Sequence, residues 1–199
     1  MSNRTLPLFP LGSVLFPAGP LELRIFEPRY VDMVGRCMKE GTGFGVVLLV
    51  EGPEAGSGSL MTAAVGTEAT IVDFDRLDDG LLGLTCVGRE RLRIVRAWRQ
   101  DDGLNLGEVH DIPADPVAPV PDECLHLAEA LRRLYPSLGP SYAWVAPRFD
   151  DAGWVANRLS ELAPLEPAVK QGLVELDDPV ERLRYFAPLI RLESDPPNA

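Results

Sequence analysis

At 199 residues the chain can bury a proper core as one domain, or as one domain with a subdomain, and 46% apolar with 25% charged residues is ordinary for a globular fold. A net charge of −11 divides into −5 over residues 1–112 (11 basic, 16 acidic) and −6 over residues 113–199 (8 basic, 14 acidic), which argues against a nucleic-acid-binding module with its positive field. No apolar run approaches the ~20 residues of a membrane span, the start lacks the basic-then-apolar pattern of a secretory signal, and Cys37, Cys86 and Cys124 are too few and too widely spaced for a disulfide framework or a zinc site. A cytoplasmic protein is expected.

The chain opens on two proline-punctuated apolar runs. Pro7, Pro10, Pro17 and Pro20 each fix φ and remove a donor, so residues 6–20 must be short extended pieces with turns. Leu21 to Ile25 alternates as a strand. Pro28 suits a first helical position, and Tyr30, Val31, Val34 and Met38 recur at helical spacing, which predicts a helix from Glu27 or Pro28 to about Glu40 with Gly41-Thr42-Gly43 as its stop. Phe26 just ahead of it is expected to staple onto Val31. Phe44 to Val50 is an almost continuous apolar run suited to a central strand, and Glu51 to Ser59 reads as a glycine-rich loop. Leu60 to Asp75 predicts one or two strands, Asp79-Gly80 a hairpin turn, and Leu82, Leu84 and Cys86 the returning strand. Leu92–Trp98 and Leu104–Val109 pair across Asp102-Gly103. These short strands predict an α+β fold, a small antiparallel barrel or curled sheet with one helix inserted, over residues 1–112.

Ile112 to Pro121, IPADPVAPVP, predicts an extended connector over residues 113–121, and residues 122–199 a helical subdomain. There Cys124, Leu127, Ala128, Leu131 and Leu134 share one helical face, Val155, Leu159 and Leu162 a second, and Val169, Leu173 and Leu176 a third behind Pro167. Asp178-Pro179-Val180-Glu181 is a capping signature for a last helix with Leu183, Phe186 and Ile190 as its stripe.

Five stretches, LPLFPLGSVLFPAGPLELRIFEPRY (6–30), FGVVLL (44–49), VGTEATIVDFDRLDDG (65–80), TCVGRERLRI (85–94) and NRLSELAPLEPAVKQGLVELDDPVERLRYF (157–186), resemble in the same order the N-terminal domain of Lon proteases. The resemblance covers nearly the whole chain. It implies a pseudouridine-synthase-like barrel followed by a helical part, and a non-catalytic module that recognises exposed apolar segments of unfolded or partly folded polypeptides, related to an ATP-dependent protease and needing no cofactor.

The search for chemistry agrees. Lys39 and Lys170 are followed by Glu40 and Gln171, so neither belongs to a P-loop, and neither stands near a serine as a base for a nucleophile. His110 ends a strand and His126 lies on the polar side of a helix. The pairs Asp78-Asp79, Asp101-Asp102, Asp150-Asp151 and Asp177-Asp178 stand where turns and caps prefer them, without the alternate spacing of a calcium loop. No catalytic residue and no metal ligand is assigned.

Two stretches remain as candidate peptide-binding sites. Pro10, Phe16, Pro17, Arg29 and Tyr30 would line an apolar groove on stiffened loops, or else serve as core, loop stiffeners and, for Arg29 with Glu27, a structural ion pair. Arg89, Arg91 and Arg93, if extended, point to one side of a strand and would take acidic peptides or phosphate, or else form a solvated face paired with nearby acids. Beside the peptide-recognition module stand an adaptor that docks a separate protease or other protein, an RNA-binding barrel, which the charge disfavours, and a small-molecule enzyme, which the missing constellations disfavour.

Overall fold

The computed structural model describes residues 3–50 and 61–190, so the loop expected at Glu51–Ser59 lies outside the described residues. Six strands, β1 (Arg4–Leu11), β2 (Pro20–Ile25), β3 (Phe44–Leu49), β4 (Thr62–Arg76), β5 (Leu82–Arg99) and β6 (Asn105–Asp111), form one sheet in the order β2-β5-β4-β3-β1-β6. A further pairing joins β5 to β6, so β5, β4, β3, β1 and β6 make a ring and β2 stays outside it. The 18 residues of β5 allow both: its first part pairs with β2 from Leu82 to Val87, and its second part with β6 from Leu92 to Arg99.

The expectation of an antiparallel barrel needs correction at one joint. β1 and β3 pair in parallel, Leu8↔Gly45 to Leu11↔Leu48, because β2 and a helix stand between them in the chain and bring it back in the same direction. The sheet is therefore mixed, and with β2 outside the ring it is not a clean barrel. Both Asp-Gly turns form as expected. Gly80 and Gly103 each take φ 83°, a left-handed value that suits glycine, while Asp79 and Asp102 accept from the N–H of Leu81 and Leu104 at 3.0 and 2.9 Å.

The helix α1 (Pro28–Glu40) begins at Pro28 and ends on Gly41 in the left-handed conformation, both as the sequence predicts. Its buried side is Tyr30, Met33, Val34 and Cys37, whereas Val31 and Met38 are half exposed, because Met33 and Cys37 lie closer to the line joining Tyr30 and Val34. The staple does not form, since Phe26 is 69% exposed. Instead Tyr30 stacks on Phe9 with ring centroids 4.3 Å apart, and α1 closes a core with Leu23 and Ile25 of β2, Phe44 of β3 and Leu84 and Cys86 of β5.

Beyond the sheet lie α2 (Leu125–Leu134), α3 (Ala152–Leu162), α4 (Pro167–Glu175) and α5 (Pro179–Arg184). The single apolar face read for α3 understates it, since every residue from Ala152 to Ser160 is buried, Trp154, Asn157 and Arg158 included. The other helices pack around it, with Cys124, Leu127 and Leu131 from the α2 side and Leu173, Leu183 and Phe186 from α4, α5 and the turn after α5. Asp178 caps α5 as expected, accepting from the N–H of Val180 and Glu181 at 2.8 and 3.3 Å. The proline-rich connector is extended and docked: Ala152 N–H donates to Ala118 C=O at 2.8 Å and Val120 N–H to Asp150 C=O at 3.2 Å. No helix among the described residues is long and apolar enough to cross a membrane.

Candidate functional site

Two strand edges are left unpaired where β1 and β2 approach α1. Among the described residues β6 pairs with β1 only from Arg4 to Leu8, which leaves Phe9–Leu11 with β3 alone, and β2 has β5 as its one neighbour. Between these edges opens a cleft of about 770 Å³. Its floor is the Phe9–Tyr30 stack, and the Arg29 guanidinium lies 4.7 Å from the centre of the Tyr30 ring. Arg29 is held by Glu27 at 2.7 Å and by donation to Gly103 C=O at 2.8 Å, the fixed geometry expected where a cation sits on an aromatic face. Burial pushes the Tyr30 phenol above its ordinary range, so it stays neutral. The rim carries apolar side chains in contact with water, Phe26 and the 44% exposed Leu49, with Pro10 and Leu11 half buried beside them. An apolar floor with a few fixed charges is the make-up of a ligand-binding cleft.

A second cleft, on the other side of β2, is acidic. Its carboxylates are largely spent on local structure: Asp73 and Asp75 accept from the N–H of Phe74 and Arg76, and Asp79 holds Leu81 N–H and Arg24. Among the described residues no group of His, Cys, Asp or Glu could hold a metal ion. Burial pushes the Cys86 thiol up to about 12, which leaves it inert as a nucleophile.

The eight residues picked from the sequence do not form one surface. Pro10, Arg29 and Tyr30 line the cleft. Phe16 is fully buried and packs into the helical core, so it has no surface for a ligand. Pro17 belongs to a strap between sheet and helices, where Arg158 of α3 donates to Pro17 C=O at 3.0 Å and to Ala18 C=O. Ala18, with φ 56°, is the one non-glycine left-handed residue among those described, and its N–H donates to Gly88 C=O at 2.8 Å. Glu161 completes this buried site, 3.0 Å from Arg158 and accepting from the Tyr142 hydroxyl. Desolvation raises the Glu161 carboxyl and lowers the Arg158 guanidinium.

The arginine run divides in the same way. A register shift between Thr67 and Ala69 interrupts the alternation of β5, so Arg89 and Arg91 no longer share a face; Arg91 is covered by the connector and the end of α4, while Arg89 and Arg93 are exposed. Arg89 lies 3.8 Å from Glu90. Arg91 donates to the C=O of Val174 and Leu176 and to Asp115, each at 3.0 Å. Asp115 also accepts from Arg182 at 2.6 Å, and Arg182 donates to Asn157 at 2.8 Å and to Leu173 C=O at 2.9 Å. Sequence reasoning missed this network. The available signal was Asp115 itself, the lone charge in the connector, whose carboxylate had to find a partner. It also missed Phe9, Phe26, Leu49 and Arg99 at the cleft, which come from four segments that only the fold brings together.

The family model of the ATP-dependent protease La (LON) substrate-binding domain matches residues 5–191. Among solved structures, a Lon N-terminal domain protein from Xanthomonas campestris is 37% identical with a TM-score of 0.78, over 94% of this chain and 99% of that one. The N-terminal domain of a Mycobacterium avium complex Lon protease has the same fold at 17% identity, with a TM-score of 0.60 over 93% of this chain and 97% of that one. Among curated proteins, Lon protease 3 of Sorangium cellulosum is 24% identical over 94% of this chain, and a LON peptidase N-terminal domain and RING finger protein of Schizosaccharomyces pombe is 24% identical over 89% of it. The chain spans 23% and 43% of those two proteins. With nearly its whole length matched and its fold shared, this chain belongs to the Lon substrate-binding domain family.

Proposed function

We propose that the protein is a non-catalytic recognition module that binds exposed apolar segments of unfolded polypeptides in the cleft between β1 and β2. The observation that carries this reading is the cleft itself, with exposed Phe26 and Leu49 standing over a rigid aromatic floor in a member of a substrate-binding family. Two aromatic or aliphatic anchors and few fixed polar contacts support an affinity on the order of micromolar, suited to sampling many clients. The ring of β1, β3, β4, β5 and β6 supports describing residues 1–112 as a pseudouridine-synthase-like barrel that carries the site. In the same reading residues 113–121 are the connector, residues 122–199 are the helical subdomain, and the protein works in the cytoplasm.

The test is a titration of labelled apolar peptides into wild type and into Phe26→Ser with Leu49→Ser. The double variant should bind ~10-fold or more weakly, since two exposed anchors are worth at least 1.4 kcal/mol together, while its melting temperature stays close to wild type. Equal binding by both proteins would move the site elsewhere.

Hydrolysis and nucleic-acid binding are proposed to be absent. The purified chain should neither turn over ATP nor cut casein, because neither lysine has a P-loop or nucleophile context. It should not shift single-stranded RNA at physiological salt, because Arg91 is buried and bonded and so withdraws the centre of the one basic run. Turnover that survives repurification, or a salt-steep RNA shift, would overturn the corresponding half.

A further inference from the structure

The way β2 pairs with β5 decides which of its main-chain groups are free. Gly88 N–H donates to Gly19 C=O at 2.8 Å, and the register continues unbroken from Pro20↔Val87 to Ile25↔Leu82. In an antiparallel ladder the bonded pairs alternate, so Leu21, Leu23 and Ile25 exchange bonds with β5, and the N–H and C=O of Pro20, Glu22 and Arg24 point away from it. Pro20 has no N–H to leave unmet, as suits a residue at that phase of an edge strand. Glu22 and Arg24 each offer a donor and an acceptor, and among the described residues no main-chain hydrogen bond outside the strand ladder reaches them.

This edge borders the cleft. Glu22 to Ile25 line it while no residue of β4 and none from Leu82 to Val87 does, which places the cleft on the unpaired side of β2. The opposite wall, Phe9–Leu11 of β1, has its edge blunted by Pro10, so β2 is the better template of the two. Two further features call for an occupant with acceptors. The Arg29 Nε is buried without an acceptor among the described residues. Arg99 donates to Gly103 C=O at 3.2 Å and has no carboxylate partner among them. The charged residues lining the cleft, Arg24, Arg29 and Arg99 against Glu22 and Glu27, sum to +1 in a chain whose net charge is −11.

We propose that an extended polypeptide segment adds to the free edge of β2 as a further strand, bonding through its main chain to Glu22 and Arg24 and setting alternate apolar side chains into the cleft. The proposal rests on the cleft being the recognition site and names how it recognises. Main-chain bonding explains how one surface accepts many sequences, since every residue but proline carries the same N–H and C=O. Specificity then reduces to pattern: apolar residues at every second position, on the face that Leu23 and Ile25 share, and an acidic residue or chain terminus near Arg99. A basic segment is disfavoured by the charge of the cleft.

The probe is an end-blocked ten-residue peptide in which Val and Leu alternate with Ser and Thr and one Ser position is Asp. On wild type, amide hydrogen exchange at Glu22 and Arg24 should slow by ~10-fold or more when the peptide is added, because both N–H groups acquire acceptors. Arg24→Pro removes one outward donor without touching the β2–β5 ladder, and should bind the peptide ~10-fold more weakly than Arg24→Ala, which keeps the N–H. Unchanged exchange at both amides under saturating peptide, or equal affinities of the two variants, overturns strand addition. If the Phe26→Ser, Leu49→Ser variant nevertheless loses affinity, the cleft stands as the site and only its mode is wrong. If wild type does not bind the peptide at all, the cleft reading fails first and this inference with it.

Discussion

Asp115→Ala should cost more stability than any surface change in the chain, about 3–5 kcal/mol, which for a protein of this size lowers the melting temperature by on the order of 10 °C. One carboxylate serves two buried guanidiniums here: its Oδ1 accepts from Arg91 at 3.0 Å and its Oδ2 from Arg182 at 2.6 Å, with the arginine side chains 4% and 0% exposed. Removing it leaves two cations in a poorly solvating interior. Their remaining acceptors are the carbonyls of Leu173, Val174 and Leu176, Asn157, and an Asp177 that is itself mostly in water. The network also joins β5, the connector, α3, α4 and α5, so its loss loosens the attachment of the helices to the sheet. Asp115→Asn should fall between the two, since it keeps an acceptor for one arginine and loses the charge for both. Thermal melts of the three proteins decide this, and an alanine variant that melts within two degrees or so of wild type would show that water or rearrangement replaces the carboxylate.

Phe16→Ala should be the next most damaging, by about 3–5 kcal/mol in urea titrations, because it empties a large aromatic from a closed core. Phe16 is fully buried among Trp154, Leu127 and Phe186 and their neighbours, and its chain segment is tied down twice. Gly19 N–H donates to Phe16 C=O at 3.0 Å, and the next two carbonyls accept from Arg158. Gly88 reports the same closeness from the sheet side, since a Cβ there would meet Phe16 O at 2.3 Å. Where the variant is still folded, peptide affinity should change by less than about threefold, because Phe16 shares no partner with the cleft. A variant of normal stability that fails to bind peptide would return Phe16 to the binding surface.

These outcomes bear on how far residues could be sorted in advance. The α+β class, most strand and helix positions, the two Asp-Gly turns and the caps at Pro28 and Asp178 were legible, because each rests on chemistry within a few neighbouring residues, whereas the segments around Cys86 and Leu92 proved to be one strand, Leu82–Arg99. Proline fixes its own φ, glycine tolerates a left-handed turn, and alternation or helical spacing marks a buried face. Pro10, Arg29 and Tyr30 were found at the cleft for a similar reason, since they sit in the one stretch where stiff loops and aromatics concentrate.

What local pattern could not decide was which of two apolar or charged faces would be covered. Phe16 and Phe26 are both phenylalanines within two residues of a proline in the opening stretch, yet one is fully buried and the other 69% exposed, because α3 and its Arg158 close over the first and nothing covers the second among the described residues. Arg89 and Arg91 look alike in the run GRERLRI until a register shift against β4 turns one to water and the other to Asp115, a residue 24 positions away. Sequence by itself thus determined the elements and their order, since those follow from short-range backbone preferences and periodicity, and the resemblance of five stretches along the chain pointed to the family. The parallel joint of β1 and β3, the free edge of β2 and the choice between core and cleft were decided by the tertiary structure alone, because each depends on which distant segment arrives to satisfy a hydrogen bond or exclude water.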